Sequence, residues 1–484
     1  MDRRAYTDNR DSEDSLAGRR LHFVGIGGCG MSGLARMAAK RGATVTGSDR
    51  ADSATVAGLR AGGVGVVLQQ TAKSVPERVD TLVVSAAIPA DHPEVVEAEC
   101  RGVEVMKYAA MLGRLMGQLG VEGVAIAGTH GKSTTTSVLC HVLLSCGLDP
   151  SFIVGANCEQ IGGGARVSDG SREAGEVLVA EACEFDRSFH ALEPVHGVIL
   201  NIEADHLDLY GSLDEIAEAF AVFARKLPTQ GSLLIQHESP HRMLVSAGVA
   251  CPVETIGFDP QADWQVAVSG GSDRTVELRQ GGERVASWRA SMPGEHMAYN
   301  AAVAAVTAHR LGAPWDGIAK AIAGFTGLDR RMQRLGTREL VGGGTVTVVD
   351  DYGHHPTEVD ATLRALRAWY RPGRLVCVFQ PHQHSRTRFL MEQFAVSFSA
   401  ADVVIVPEIY FVRDTEQERE AVRANDLVKA LRARGVTAMH VDPMEAIVDQ
   451  LVGAVRDGDL VVTMGAGDVW RVARGLLDRL PPPC

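Results

Sequence analysis

The chain has 484 residues, 45% of them hydrophobic and 22% charged, with a formal net charge of −12. That length admits roughly two to four domains, each able to bury a sizeable core. The acidic balance argues against a polyanion such as nucleic acid as partner, because such affinity comes largely from Lys and Arg neutralising phosphates. A small anionic substrate, needing only a few local cations, is not excluded.

The opening "MDRRAYTDNRDSEDSLAGRR" is charged and has no apolar segment. It is not a secretory signal, and residues 1–19 are expected to form a disordered tail. No apolar run along the chain approaches the ~18 residues that span a bilayer, so no membrane association is expected. Nine cysteines, an odd number without C-x-x-C pairing, suit a reduced cytoplasmic protein without disulfides or structural zinc.

From residue 20 onward, short β-branched runs alternate with Ala- and Leu-rich segments. "LHFVG", "ATVTG", "TLVVS", "GVAIAG", "VLVAEA", "GVILNI", "TVTVVD", "RLVCVF", "DVVIVP" and "LVVTMG" read as strands. Most precede a helical pattern, the signature of βαβ units and parallel sheets. The units fall into three clusters, so three α/β domains are expected: 20–118, 119–326 and 327–484. The joints lie near "RLMGQLGVEG" and "GFTGLDRRMQ", where glycine interrupts helical patterns.

The first glycine loop is "HFVGIGGCGMSG". Gly25, Gly27 and Gly30 satisfy G-x-G-x-x-G after a strand, and Asp49 follows at the end of the next strand, about 20 residues on. Glycines there allow a pyrophosphate to approach a helix N-terminus, and the acid suits a ribose hydroxyl. A tight turn without ligand is the plainer alternative. The pattern does not say whether NAD, FAD or a UDP-sugar supplies the pyrophosphate.

The second loop, "GVAIAGTHGKSTTTSVL", has the strand–loop–helix context of a phosphate-binding loop. Strict G-x-x-x-x-G-K-[ST] spacing needs glycine at 126, where Ile126 stands. Lys132 at a helix start opposes the helix dipole and usually needs an anion. It would meet the β- and γ-phosphates while Ser133 ligates Mg²⁺, with Thr129 and His130 as further donors. Acids for a metal stand at later strand ends: Glu181 and Glu184 in "VLVAEACEFDRSF", and Glu203, Asp205, His206 and Asp208 in "GVILNIEADHLDLYG". Any one of them could merely cap a helix. All of them at strand ends behind such a loop point to one phosphate site.

The third cluster puts Pro356 at the start of a helix after "TVTVVDDYGHHP". It also places His382, His384, Arg386 and Arg388 after "RLVCVFQP", and Gly465, Gly467 and Asp468 after "LVVTM". Together these put His and Arg on one rim of a third sheet, a clamp for a carboxylate or an amino acid.

The ordered set "GIGGCGMSG", "SAAIPADHPE", "AGTHGKST", "NIEADHLDLY", "DDYGHHPTEV", "QPHQHSRTR" and "GAGDVW" resembles the Mur ligase family from about residue 20 to about residue 478. The resemblance implies a Rossmann-like N-terminal domain, a central P-loop ATPase-type parallel-sheet domain and a Rossmann-like C-terminal domain. It implies ATP-dependent joining of L-alanine to the carboxylate of UDP-N-acetylmuramate through an acyl phosphate, with release of ADP and phosphate, in cytoplasmic peptidoglycan precursor synthesis by a monomer or homodimer. In that scheme Gly27, Gly28, Gly30, Ser48, Asp49, Ser85 and Ala86 bind the UDP part without NAD. Gly128, Thr129, His130, Gly131, Lys132, Ser133 and Thr134 bind ATP, and His296 and Asn300 meet the adenine. Ser133, Glu181 and His206 hold Mg²⁺. Lys132, His206, His355 and Arg386 act at the reacting centre, with His382 beside them and Arg330 and Arg331 at the joint to the third domain.

The chain departs from the family pattern at "EACEFDRSF", where an Asp-Glu-Ser-Asp segment is common. It departs again at "PHQHS", where P-H-R-Y is frequent, and at Met297, where Asn often follows His. No lysine shortly after His206 matches the carbamylated lysine of sister ligases, which fits the alanine-adding branch. A muropeptide-recycling ligase for the same UDP-sugar is the near alternative. An NAD-dependent oxidoreductase resting on the first loop alone is the alternative from another class.

Overall fold

A computed structural model describes residues 15–206, 209–270, 274–340 and 342–482. Among these residues the ten expected strands all form, and they fall into three sheets. The first sheet is parallel throughout, in the spatial order Gly65–Val67, Thr44–Ser48, Arg20–Val24, Thr81–Val84, Glu104–Lys107. The order reverses on either side of Arg20–Val24, so the crevice where a ligand sits in such sheets opens past the end of that strand.

The middle sheet has ten strands. Its parallel heart runs Ser232–Gln236, His196–Ile199, Val121–Ala127, Glu176–Ala182, Ser151–Ile153. This heart is the parallel sheet expected of the central domain. One flank adds Trp264–Ser269, Thr275–Gln280 and Glu283–Arg289 as an antiparallel meander, the last two joined by Gly281–Gly282 with φ +56° and +85°. A Gly-Gly pair in a two-residue hairpin supplies the positive φ that side chains resist.

The third sheet runs Gln333–Glu339, Thr345–Asp351, Asp459–Met464, Arg374–Phe379, Val403–Val406, Ala438–His440. All its pairings are parallel except that of Gln333–Glu339 with Thr345–Asp351.

The tail expectation falls mostly on residues 1–14, outside the described residues. Residues 15–19 belong to the fold: Leu16 is buried, and the Gly18 N–H donates to the Gly42 carbonyl at 2.9 Å. The sheets pack on one another. Helix Cys29–Lys40 of the first lies so close to the middle sheet that a Cβ at Gly33 would come within 2.9 Å of the Ala165 methyl. Arg41 reaches Glu176 at 2.9 Å across the same seam.

Candidate active site

The middle sheet gathers three loops at one edge, following Val121–Ala127, Glu176–Ala182 and His196–Ile199, which are neighbours in the sheet. The structure explains the short glycine spacing. Ile126 lies fully buried within the strand, so the turn begins only at Gly128. Gly128 (φ +140°) lets the backbone pass Leu200, where a Cβ would sit 2.9 Å from the Leu200 Cβ. Gly131 (φ +86°) caps helix Lys132–Ser145 with Asn300 directly behind it, 2.7 Å from where a Cβ would be. The loop needs glycine at 128 and 131, whereas 126 is an ordinary buried strand position.

Asn201 fixes the loop in shape. Its side chain accepts from the His130 N–H at 2.7 Å and donates to the His130 carbonyl at 3.0 Å. The Thr129 hydroxyl accepts from the Glu203 N–H at 2.9 Å.

Lys132 Nζ donates to the Gly128 carbonyl, to the Thr129 carbonyl at 3.1 Å and to Glu184 at 2.8 Å. Burial opposes its charge, but Glu184, with Cys183 and Glu181 behind it, outweighs that and its pKa is raised. Ser133 Oγ donates to Glu181 at 3.2 Å, and Thr134 lines the cavity beside the loop. His206, at φ +53°, lies 4.0 Å from Glu184 and 3.7 Å from Asp205. The structure therefore joins Ser133 to Glu181 and places His206 beside Glu184. Asp208 lies outside the described residues.

The C-terminal sheet closes over this edge. Asp205 and Arg386, 181 residues apart in sequence, form a buried pair through Arg386 Nε at 3.1 Å and Nη2 at 2.9 Å. Arg386 Nη1 turns to His382 Nδ1 at 3.2 Å, and His382 stacks on Tyr410 with ring centres 5.6 Å apart. Burial and neighbouring cations push His382 down to about 3, and Asp205 is held well below the usual carboxylate range chiefly by Arg386, against its burial. His355 Nε2 faces the Ala204 carbonyl at 3.2 Å.

Glu358 on helix Pro356–Tyr370 was not singled out by the sequence. It lies 3.2 Å from His130 and 3.5 Å from each of Arg331 and His354, and its carboxyl is held well below the usual range despite burial. Burial alone would lower the pKa of His130, but Glu358 and Glu203 raise it to about 10. His130, Glu203 and His355 present ligand atoms within 4.8 Å of one another. A protonated His130 has no lone pair to give a metal, so Ser133 and Glu181, hard oxygens in contact, fit Mg²⁺ better.

Between the middle and third sheets lies a cavity of ≈ 550 Å³ whose walls include His296, Tyr299, Asn300, Phe258, Arg331 and Glu358. Burial lowers the His296 pKa to about 4, so its ring is neutral there. Arg330 bonds Asp350 at 3.2 Å and the Gly465 carbonyl at 2.6 Å, and both Arg330 and Arg331 lie over the Tyr352 ring.

On the first sheet, Gly27 and Gly28 form the turn after Arg20–Val24. Ser85 follows the neighbouring strand, its Oγ 3.8 Å from where a Gly25 Cβ would lie, and Ala86 is exposed next to it. Asp49 braces this turn by accepting the Gly27 N–H at 2.8 Å. Two expectations are corrected. The Ser48 side chain is fully buried and donates to Glu94 at 2.7 Å, so it supports the strand end instead of facing the crevice. The space a side chain at Gly30 would take is filled by Tyr108, whose ring lies 2.8 Å from the Cβ position.

Residues 20–119 match the profile described as "Mur ligase family, catalytic domain", 126–308 the "Mur ligase middle domain", and 330–467 the "Mur ligase, glutamate ligase domain". The chain is 40% identical to the UDP-N-acetylmuramate--L-alanine ligase of Azoarcus sp. (strain BH72), over 94% of this chain and 97% of that protein. It is 38% identical to the enzyme of that name from Clostridium novyi (strain NT), over 95% and 97%. Its fold matches the crystal structure of the UDP-N-acetylmuramate-alanine ligase MurC of Thermotoga maritima, with TM-score 0.75 and 24% identity over 95% of this chain and 98% of that one.

Proposed function

The chain belongs to the Mur ligase family, and from that premise we propose how it joins L-alanine to the carboxylate of UDP-N-acetylmuramate, driven by ATP. One observation carries the reading. Lys132–Glu184 and Ser133–Glu181 on the middle domain stand beside Asp205–Arg386, the pair that ties the third domain to the same edge.

In this reading Gly128–Thr134 hold the phosphates, and the adenine enters the cavity by His296 and Asn300. The UDP part lies in the first-sheet crevice at Gly27, Gly28, Ser85 and Ala86, with Asp49 and Gly30 shaping its floor. The muramyl carboxylate attacks the γ-phosphorus, giving an acyl phosphate and ADP. The amine of L-alanine then attacks the acyl carbon and phosphate leaves. Two anions meet in the first step, and Lys132 offsets their repulsion once it leaves Glu184 for the phosphates. Ser133, Glu181 and His206 are the residues we assign to Mg²⁺, which when bound would neutralise phosphate charge. His355 and Arg386, with His382, border the acyl centre, and Arg330 and Arg331 fix the approach of the third domain. Closure of the domains excludes water from the acyl phosphate.

We assign the domains to 20–118, 119–326 and 327–484, and place the enzyme in the cytoplasm as a monomer or homodimer. Among the described residues no helix is long and apolar enough to cross a membrane.

The test is phosphate release from ATP and UDP-N-acetylmuramate with L-alanine, glycine, L-serine or a muropeptide tripeptide in separate reactions. Release with L-alanine is expected. Release with the tripeptide alone would assign the chain to recycling, and none with any acceptor would overturn the reading. A second expectation concerns Gly30→Val. The added methyls would force Tyr108 aside, cost about 1–3 kcal/mol of stability as overpacking does, and weaken UDP-N-acetylmuramate binding by displacing the turn. Unchanged affinity by calorimetry would refute it.

A further inference from the structure

We propose that Arg413 receives the carboxylate of the incoming amino acid, an assignment that rests on the ligase reading above. The rim of the third domain carries several basic groups, yet most are spent. The Arg386 guanidinium is buried and bonded to Asp205 and His382. His382 is stacked on Tyr410 and uncharged. His384 and Ser385 are turned inward to Asp414, which accepts the His384 N–H and the Ser385 hydroxyl at 2.6 Å. Gln383, in the same loop, is buried and carries no charge.

Arg413 differs from all of these. It is exposed and makes no ion pair among the described residues. Its guanidinium lies 4.6 Å from the centre of the Phe185 ring, and Phe185 in turn packs edge-on against His206 at 5.1 Å. Through Phe185 it is linked to His206, which lines a cleft with Asp205, Gln383, Ser385, Arg386 and Phe389 where the third domain meets the middle one. Its charge reaches His382, whose pKa it helps to lower. Its backbone is left-handed, φ +61°, and the next residue, Asp414, is anchored by the bonds to His384 and Ser385. Such a conformation is uncommon at a non-glycine residue and persists only where the surroundings impose it. A planar, permanently charged fork held on an aromatic face is suited to a bidentate carboxylate.

A cation that merely clamps Phe185 would give the same picture, so the experiment separates the two. KM for L-alanine, ATP and UDP-N-acetylmuramate is measured for wild type, R413A, R413K and F185A. Hydroxylamine, a nucleophile without a carboxylate, is then used in place of L-alanine, with hydroxamate formation as the readout. R413A should raise KM for L-alanine by roughly 10- to 100-fold, the effect of losing a charge-assisted pair. The other two KM values and the hydroxamate rate should stay within about twofold, because carboxylate binding does not enter them. R413K should recover part of the loss, and F185A should cost less than R413A.

An unchanged KM for L-alanine in R413A would overturn the assignment. So would a parallel rise of all three KM values, or an equal loss of hydroxamate formation. If wild type itself shows no phosphate release dependent on the sugar nucleotide and an amino acid, the ligase reading fails and this assignment fails with it.

Discussion

Lys132→Ala is expected to abolish ligation, lowering kcat by about a thousandfold or more, the scale seen when a positioned cation or donor is removed from a phosphoryl or acyl transfer site. The reason lies in its partners. Nζ is held by two backbone carbonyls of the loop and by Glu184, all within reach of the helix start. A phosphate bound there would replace these acceptors with stronger ones, and the loop's other cation, His130, is already engaged by Glu358 and Glu203. The fold should survive, because the helix Lys132–Ser145 is anchored by Val138, Leu139, Val142 and Leu143 in the core. Glu184 would be left without its cation, so some loss of thermal stability is expected beside an unchanged far-UV circular dichroism spectrum. ADP formation within about tenfold of wild type in the presence of UDP-N-acetylmuramate and L-alanine would contradict this role for the lysine.

That loop shows what a sequence can carry. A lysine at a helix start behind a buried strand is a local pattern, and so are the glycines at 128 and 131. The missing glycine at 126 fits a strand that runs on to Ala127, as the run "GVAIAG" indicated. Ser48 shows the opposite. Its partner Glu94 lies 46 residues on, and both are engaged in a buried network with His22, which no spacing rule announces. The pair Asp205–Arg386 spans two domains and was legible only as two separate polar residues. The hairpin of Thr275–Gln280 and Glu283–Arg289 carried a signal, the Gly-Gly pair between β-branched runs, which the search for βαβ units passed over. Gly30 was given the right importance for the wrong neighbour, since the ring that needs its space is 78 positions away.

Glu358 is the most instructive omission, because it has two roles. Locally it completes a capping box, accepting the backbone N–H groups of His354 at 3.0 Å and His355 at 3.2 Å. In the sequence "HHPTEV" that is all it announces. In three dimensions the same carboxylate reaches across to His130 and to Arg331 at the joint, so the cap of a third-domain helix also braces the loop we assign to ATP.

Glu358→Gln is therefore expected to destabilise the protein by about 3 kcal/mol near pH 6, because breaking a largely buried pair leaves cations without compensation. The effect should depend on pH in a definite direction. His130 titrates ordinarily near 6.5 and is raised to about 10 in the folded protein, where Glu358 and Glu203 outweigh its burial. A raised pKa means that the stabilisation is complete below about pH 6.5 and is lost progressively as pH rises toward 10. Glu203, which also faces the pair and is held below its ordinary range, keeps its charge over that interval, while burial keeps His296 and His354 neutral. Wild type should lose stability from pH 6.5 to 9.5, the variant should lose less, and the gap between them should narrow. Urea midpoints at four pH values in that interval measure this directly. Parallel curves would mean that Glu358 acts through the helix cap alone, since the cap bonds to backbone N–H groups that do not titrate. Convergent curves, together with a raised KM for ATP in the variant, would place the docking of the third domain and the shape of the phosphate loop under one carboxylate.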